Sequence, residues 1–189
     1  MAAVTTMPVS GDWTVDDLER LPDDGLRYEL VDGVLLVSPS PSVPHQVALA
    51  ALTFLLTSAA PAHLRVLPAP LDITFTRTRL LQPDIVVLRA SQLTGRKVDG
   101  VPLLAVEVLS DSTRLTDTTL KREVLEQAGV PSYWLLDPSV PSLTVLELLD
   151  GAYRDTACVH GDTACVHGDQ AVTVERPFPV RLVPAELLR

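Results

Sequence analysis

The chain has 189 residues, 47% of them hydrophobic and 21% charged, which fits one globular domain and excludes a disordered chain. Fifteen basic residues against 24 acidic ones give a net charge of −9, which argues against a nucleic-acid coat protein. This charge does not exclude an enzyme that acts on nucleic acid through a local basic patch or a bound metal. The longest apolar stretch, 47–56, is far shorter than the ~20 residues that cross a membrane, so we expect no membrane partner.

The ends and the cysteines predict where the protein works. Residues 1–10 contain no basic residue followed by an apolar run, so we expect a flexible end and no signal peptide. The two cysteines, Cys158 and Cys165, give no disulfide framework. A reducing cytoplasm is therefore the expected compartment.

The N-terminal part of the chain predicts a short helix and a β-hairpin. Thr14, followed three residues later by Asp17, is typical of a helix start. Two β-rich runs, 27–31 and 34–37, are separated by Asp32-Gly33. This dipeptide between such runs predicts a two-residue hairpin turn.

The rest of the chain predicts alternating helices and strands. A proline-rich loop, 38–44, precedes a helix at 45–60 whose apolar residues lie nearly all round, which predicts burial on more than one side. A second long helix is expected at 112–128, closed by Gly129, and a short one at 184–188. The predicted strands are 64–67, 71–75, 84–88, 103–109, 132–136 and 143–149.

A seven-residue repeat follows the last of these strands. Residues 155–161 recur without change as 162–168, and they extend a hairpin expected at 150–175. The repeated residues that could bind a metal are Cys158, His160, Cys165 and His167. Because Cys-x-His twice is not a usual zinc spacing, a recent duplication without chemistry is the favoured interpretation.

Glu107 is the most informative single residue. It lies inside the run 103–109, in which both alternating faces are otherwise apolar, as in a central strand covered on two sides. A carboxylate in such a place costs several kcal/mol, of order 3–5, unless it is paired, protonated or bound to metal. A buried ion pair with an arginine and a metal site both remain open at this point.

Asp84 is a similar case. It follows Pro83, which keeps the preceding chain extended, and it opens the apolar run 85–88. Asp84 and Glu107, on two neighbouring buried strands, could share one hard cation. Mg²⁺ takes one or two carboxylates, keeps several waters and leaves room for phosphate oxygens.

The predicted elements follow the order helix, three strands, helix, strand, and an aspartate opens the second strand while a glutamate lies in the third. This layout resembles that of the PD-(D/E)xK nuclease superfamily. Within it, the chain resembles the family named putative restriction endonucleases. The resemblance implies one α+β domain over 1–189, with a restriction-endonuclease-like core: a central mixed sheet flanked by helices, with extra β-hairpins. The matching stretches are Tyr28–Gly33, Ser38–Pro41, His45–Gln46, Pro83–Val87, Val106–Ser110, Ser112–Thr113, Lys121 and Ala128–Pro138.

The resemblance implies metal-dependent hydrolysis of phosphodiester bonds. Asp84 and Glu107, with the Val108 carbonyl, would hold Mg²⁺ or Mn²⁺, which polarises the phosphate and lowers the pKa of a bound water. The superfamily pattern has a lysine two residues after the glutamate, where this chain has Leu109. In this family the lysine lies on the next helix, where Lys121 stands and would orient the water or neutralise phosphate charge.

Four further residues are candidates for the active site, some from the family resemblance and some from their charge and position in the sequence. Glu29 matches the acidic residue of the hairpin strand and could join the metal cluster or bind the water, or be only a cross-strand charge. His45 opens a helix and could contact phosphate. Arg114 and Arg122 are possible phosphate contacts because of their charge and place in the sequence.

The sequence thus predicts a divalent-metal-dependent endonuclease that acts on nucleic acid, with DNA as the expected substrate. A homodimer is expected from the family resemblance, because a two-fold pair suits the cutting of two strands. The alternative is a non-catalytic interaction module that kept the nuclease fold. The missing lysine after Glu107 and the negative net charge favour that alternative.

Overall fold

The structure of the protein is a computed structural model that describes residues 12–22, 24–38, 40–94, 97–98, 100–155 and 165–189. The flexible end expected at 1–10 lies outside these residues, as do Cys158 and His160 of the repeat. In the described ranges, every helix is too short or too polar to cross a membrane.

The helical segments flank the sheet and are broken in the second half of the chain. The α-helices are α1 (Val15–Leu18), α2 (Val43–Ala59), α3 (Arg114–Thr116) and α4 (Arg122–Ala128). A π-helical stretch, Asp117–Lys121, joins α3 to α4. Single 3₁₀ turns lie at Ala90–Gln92 and Pro184–Leu188, so the short terminal helix expected at 184–188 is a 3₁₀ turn.

The strands account for most of the remaining chain. In chain order they are β1 (Arg27–Val31), β2 (Val34–Ser38), β3 (Leu64–Pro68), β4 (Ile73–Thr76), β5 (Arg79–Leu81), β6 (Ile85–Arg89), β7 (Leu93–Thr94), β8 (Lys97–Val98), β9 (Leu104–Val108), β10 (Ser132–Asp137), β11 (Ser142–Leu149), β12 (Ala152–Asp155), β13 (Cys165–His167), β14 (Val172–Val174) and β15 (Val180–Leu182). The three-residue β5 was not predicted, because so short a run has no clear period.

A mixed sheet forms the centre of the molecule. Its strand order is β12-β11-β10-β9-β6-β3, and β13 also pairs with β11. β9 and β10 are parallel, whereas the other neighbours are antiparallel. All five residues of β9 are buried, because α2 packs on one face of the sheet and α4 on the other. This confirms the predicted mixed sheet and its doubly covered central strand.

The predicted hairpin builds a second, smaller sheet. β1 and β2 pair antiparallel around Asp32 and Gly33, and the order of the sheet is β2-β1-β5-β4. Asp32 and Gly33 have φ angles of 50° and 78°, the left-handed conformation that a tight hairpin turn requires at both positions. In the segment where a hairpin is expected, 150–175, β12 and β13 both pair with β11 of the central sheet, and β14 pairs with β15 in a separate two-stranded sheet.

The prediction that α2 is buried on more than one side is wrong. Leu52 and Leu56 are fully buried against the central sheet, but Val43 and Phe54 are 77% and 75% exposed. The helix packs on a single sheet face, and its apolar composition does not by itself bury the opposite side.

The helix predicted at 112–128 forms, but it is not a regular α-helix. The hydroxyls of Thr118 and Thr119 donate to the backbone carbonyls of Arg114 and Leu115, which competes with the helical hydrogen bonds. A π-helical stretch occupies this part of the helix. Gly129 ends the helix with a φ of 80°, as predicted.

Candidate active site

The pairing of β6 with β9 brings Asp84 and Glu107 to one level of the sheet. Ile85 of β6 lies opposite Val106 of the antiparallel β9. Asp84 precedes Ile85, and Glu107 follows Val106, so the two acids come side by side. The Val108 amide donates a hydrogen bond of 2.8 Å to Oδ2 of Asp84, which holds this alignment.

Asp84 is a buried, ionised carboxylate. Its Oδ1 accepts a hydrogen bond of 2.9 Å from Nη1 of Arg27, and Nε2 of His45 lies 3.5 Å from its Oδ2. Burial opposes ionisation, but the His45 imidazole, the Arg27 guanidinium and the Val108 amide together hold the pKa of Asp84 well below its ordinary value. The Nε2 atom of His45 is itself buried and has no hydrogen-bond partner.

Lys121 is the centre of a second group of buried charges. Its Nζ lies 3.0 Å from Oε1 of Glu107, 3.0 Å from Oε2 of Glu29 and 3.3 Å from Oδ1 of Asp117. The exposed fraction of these four residues is at most 3%. Of the two interpretations left open for Glu107, the structure contains the buried ion pair, with a lysine rather than an arginine as its partner.

Three carboxylates compete for this one lysine. Burial raises the pKa of Glu107 well above its ordinary value, although the Lys121 ammonium acts in the opposite direction. Burial likewise raises the pKa of Asp117. At Lys121, burial acts to lower the pKa, but Glu107 and its two neighbouring carboxylates raise it well above the ordinary value. The ammonium is therefore held in its charged form.

The π-helical stretch positions two members of this group. Asp117 and Lys121 are its first and last residues, and both are buried. The Tyr133 hydroxyl donates a hydrogen bond of 2.9 Å to the Asp117 carbonyl and fixes the stretch against β10. π-helical turns are frequent at functional sites. Asp117 was missed from the sequence, although an acid four residues before a lysine on one helix is a recognisable signal.

Arg27 was also missed. It lies two residues before Glu29 on β1, so the two side chains leave the same face of this strand. Glu29 accepts a hydrogen bond of 2.8 Å from the Gln82 amide, two residues before Asp84. The alternation of β1 was therefore a signal that Arg27 would approach the same place.

The two groups of charges line one cavity of about 200 Å³. Its charged and titratable wall residues are Arg27, His45, Asp84, Glu107, Asp117 and Lys121. Its hydroxyl-bearing wall residues are Ser38, Ser40, Ser42, Ser110, Ser112 and Thr113. An acidic interior with a hydroxyl-rich rim, at the level where β6 begins and β9 ends, is suited to a hard cation and to phosphate oxygens.

Residues 15–182 of the chain match the family described as "Putative restriction endonuclease" (Uma2). The chain belongs to this family. It is similar to a crystal structure described as "a putative nuclease belonging to DUF820 from Anabaena variabilis", with 20% identity, a TM-score of 0.71, and coverage of 96% of this chain and 98% of that one. No curated protein matches the chain. The family resemblance and the restriction-endonuclease-like core expected from the sequence are both confirmed.

Three of the residues predicted for this Uma2 chain do not line the cavity: Glu29, which contacts it only through Lys121, and the two arginines. Nη1 of Arg114 donates a hydrogen bond of 2.6 Å to Oδ2 of Asp137, and Nη2 of Arg122 donates one of 3.4 Å to the Tyr153 carbonyl. Both arginines are absent from the cavity wall. Their contact with phosphate stays a prediction, whereas the other candidates from the sequence come together around Asp84 and Lys121.

The oxygen donors at this Uma2 site match a hard cation in kind. Asp84 and Glu107 supply two carboxylates at one cavity, and Val108, whose backbone N–H donates to Asp84, also lines it. Two carboxylates with a carbonyl oxygen and waters are the ligands that Mg²⁺ and Mn²⁺ accept. Within the described ranges, no three His, Cys, Asp or Glu side chains converge in a metal-binding arrangement.

The described part of the second copy of the repeat, residues 165–168, includes β13, which pairs with β11 of the central sheet. β13 carries Cys165 opposite Thr144 and His167 opposite Ser142, and His167 is exposed. Because the first half of the repeat falls outside the described residues, duplication without chemistry stays a prediction for this segment.

Proposed function

We infer that the protein is a divalent-metal-dependent endonuclease that hydrolyses phosphodiester bonds in DNA. One observation carries the proposal: Asp84 and Glu107, from neighbouring strands, line one cavity together with Lys121. The family and the fold support a nuclease in general. The metal, the DNA substrate and the roles of single residues are the proposal.

The balance of charge supports a cation-dependent reaction. With every group ionised, the four carboxylates (Glu29, Asp84, Glu107 and Asp117) face only two permanent cations, which leaves two negative charges uncompensated. A phosphate that approaches these carboxylates alone is repelled. A divalent cation carries two positive charges and brings the sum to zero, so metal and phosphate are expected to enter together.

Asp84, Glu107 and the Val108 carbonyl are the proposed metal ligands. When bound, Mg²⁺ or Mn²⁺ supplies positive charge for the phosphate and lowers the pKa of a coordinated water. Asp84 is prepared for this role, because its lowered pKa keeps it ionised. Glu107 is held by Lys121, so its side chain is oriented before any ligand arrives.

Lys121 has two proposed tasks. Its Nζ, 3.0 Å from both Glu107 and Glu29, compensates the charge of these two buried carboxylates. Its charge also faces the position that phosphate would take, where it orients the attacking water or neutralises the phosphate. Glu29 is proposed to hold the Lys121 ammonium and to bind the water. His45, in the first turn of α2, is proposed to contact phosphate.

The alternative is a non-catalytic interaction module. One observation favours it: Asp84 is paired with Arg27 and Glu107 with Lys121, so each carboxylate already has a cation. Calorimetric titration with Mn²⁺ separates the two functions. Binding that Asp84→Ala abolishes supports the enzyme, whereas an absence of heat in the wild type supports the module. The homodimer and the cytoplasmic compartment stay predictions.

Plasmid cleavage in Mg²⁺ or Mn²⁺ tests the proposed function. We expect Asp84→Ala and Glu107→Gln each to lower cleavage by about 100-fold or more, since even outer partners of metal ligands cost 10–100-fold. Glu147→Gln is the matched control, because Glu147 is also a buried glutamate of the central sheet but lies outside the cavity. If the wild type cuts no nucleic acid with either metal, the proposed function is wrong.

A further inference from the structure

Two segments rich in hydroxyl groups form the rim of the cavity. The first, which we call the serine-proline rim, contributes Ser38, Ser40 and Ser42, just before α2. The second, which we call the serine-threonine rim, contributes Ser110, Ser112 and Thr113, just after β9. The two rims are about 70 residues apart in the sequence, and they line the same cavity as the charged groups.

The cations of the cavity are already engaged. Among the described wall residues, Arg27 and Lys121 carry permanent positive charge, and each is held by buried carboxylates. Arg114 and Arg122 lie outside the wall and bind other parts of the chain. The net charge of −9 for the whole chain also disfavours long-range attraction of a polyanion.

The rims offer neutral donors in place of these cations. Ser40 and Ser112 are exposed, and although the Ser112 hydroxyl shares a hydrogen bond of 3.1 Å with Ser110, a serine hydroxyl can rotate to donate to an acceptor that enters. Ser42 caps α2, a helix of 17 residues whose positive end therefore faces the cavity. A second observation concerns Nε2 of His45, which lies in the same wall and is buried: its nearest polar contact is Oδ2 of Asp84 at 3.5 Å, and it makes no hydrogen bond, so it can still bond to a ligand in the cavity.

We propose that the two rims bind the sugar-phosphate backbone of the substrate through their hydroxyl groups, so that neutral donors, and not arginine or lysine side chains, make most of the phosphate contacts at the cavity. The inference rests on the proposed nuclease function and specifies how that site recognises its substrate. Hydroxyl contacts to phosphate position a strand but read no base sequence. Cleavage is therefore expected to show little sequence preference.

The dependence of DNA affinity on salt concentration distinguishes phosphate binding by hydroxyl groups from phosphate binding by lysine and arginine side chains. Each phosphate neutralised by lysine or arginine contributes about −0.9 to the slope of log affinity against log salt. A protein with 6–10 such contacts loses about 10³–10⁵ in affinity between 50 and 200 mM salt. Hydroxyl contacts release no counterions, so we expect a loss of about tenfold or less over the same range.

The experiment measures binding of a fluorescein-labelled DNA duplex by anisotropy in Ca²⁺, together with cleavage in Mn²⁺. The double variant Ser40→Ala, Ser112→Ala is expected to raise Kd and KM by at least about tenfold, because a hydrogen bond to a charged group is lost at each position. Ser58→Ala is the matched control, since Ser58 is an exposed hydroxyl of α2 far along the helix from the cavity. A second comparison uses Ser112→Asp and Ser58→Asp, which each add one negative charge to the protein. Only the charge at Ser112 lies at the cavity, so only Ser112→Asp is expected to weaken DNA binding.

The outcomes separate this inference from the proposed function. If the wild type cleaves but the double variant keeps the Kd and KM of the wild type, the hydroxyl rims are not the phosphate site and the nuclease assignment stands. A steep salt slope that Arg114→Gln or Arg122→Gln flattens also overturns the inference. If the wild type neither binds nor cuts nucleic acid, both fall. Loss of binding in Ser112→Asp but not in Ser58→Asp, with a shallow slope, supports it.

Discussion

Glu107 and Glu147 are buried on opposite faces of the same sheet. Glu147 of β11 lies opposite Ser132, which in turn lies opposite Leu104, three residues before Glu107 on β9. Because side chains alternate along a strand, this odd spacing puts the two glutamates on different faces. Each is at most 5% exposed.

Their partners differ in kind. Glu107 is held by the buried Lys121, within a group of carboxylates around one cavity. Glu147 accepts a hydrogen bond of 2.9 Å from the Ser132 hydroxyl, which accepts one of 3.0 Å from Nε1 of Trp134, and its other oxygen lies 3.5 Å from the exposed Arg176. Burial of an acid does not by itself make a reaction site; the second acid and the shared cation do.

The largest expected effect comes from removing the shared cation. Lys121→Met leaves Glu107, Glu29 and Asp117 buried without their partner and should lower the free energy of unfolding by about 3–5 kcal/mol, measured by urea unfolding. Adding Glu107→Gln should restore part of this loss. Arg20→Met, which removes an exposed ion pair, is the control and should change little. Equal urea midpoints for Lys121→Met and the wild type would contradict the buried ion-pair cluster.

A smaller effect concerns Glu147 and pH. Burial raises the pKa of Glu147, although Ser132 and Arg176 act against the shift. Between the unfolded and the raised folded pKa, the folded state binds more protons, so the wild type loses stability as pH rises through this window. We expect Glu147→Gln to match the wild type at about pH 4 and to be the more stable of the two at about pH 8.

Thermal or urea unfolding at the two pH values checks this expectation. The hydrogen bond from Ser132 survives in the variant, because the amide oxygen of glutamine still accepts it. A variant that loses stability relative to the wild type as pH rises would mean that Glu147 is ionised and well paired in the folded protein.

The smallest effect is expected at Arg114. The Arg114 guanidinium holds the pKa of Asp137 at about 2, although burial acts against this shift. The stability that this pair gives is present above about pH 4 and lost as pH falls towards 2. Because the arginine side chain is 41% exposed, Arg114→Gln should cost less than about 1 kcal/mol at neutral pH. A larger loss of stability would contradict this expectation. A loss of plasmid cleavage in Arg114→Gln would place Arg114 in the active site.

The sequence was sufficient where local patterns decide the structure. Pro83 and the apolar runs around Asp84 and Glu107 predicted two buried strands with an acid on each, and the strands are neighbours. The Asp32-Gly33 turn and the end of the helix at Gly129 were also predictable, because a positive φ has few sequence solutions.

The sequence was insufficient where distant segments meet. Arg27 and Asp84 are 57 residues apart, and no local pattern predicts their hydrogen bond. Lys121 is the last residue of a π-helical stretch, in which the Thr118 hydroxyl bonds to a backbone carbonyl, and no local pattern predicts this stretch. An isolated helix pattern predicts a lysine in solvent, and only the surrounding carboxylates reverse that expectation.

The parallel pairing of β9 with β10 has an evolutionary consequence. Parallel neighbours cannot be joined by a tight turn and need a crossover of a dozen or more residues. In this chain that crossover is the segment between Val108 and Ser132, the same segment that carries Asp117 and Lys121. A related protein that lost nucleic-acid cleavage could not delete this segment without disrupting the sheet. Loss of activity in such relatives is therefore expected through substitutions of single side chains and not through deletions.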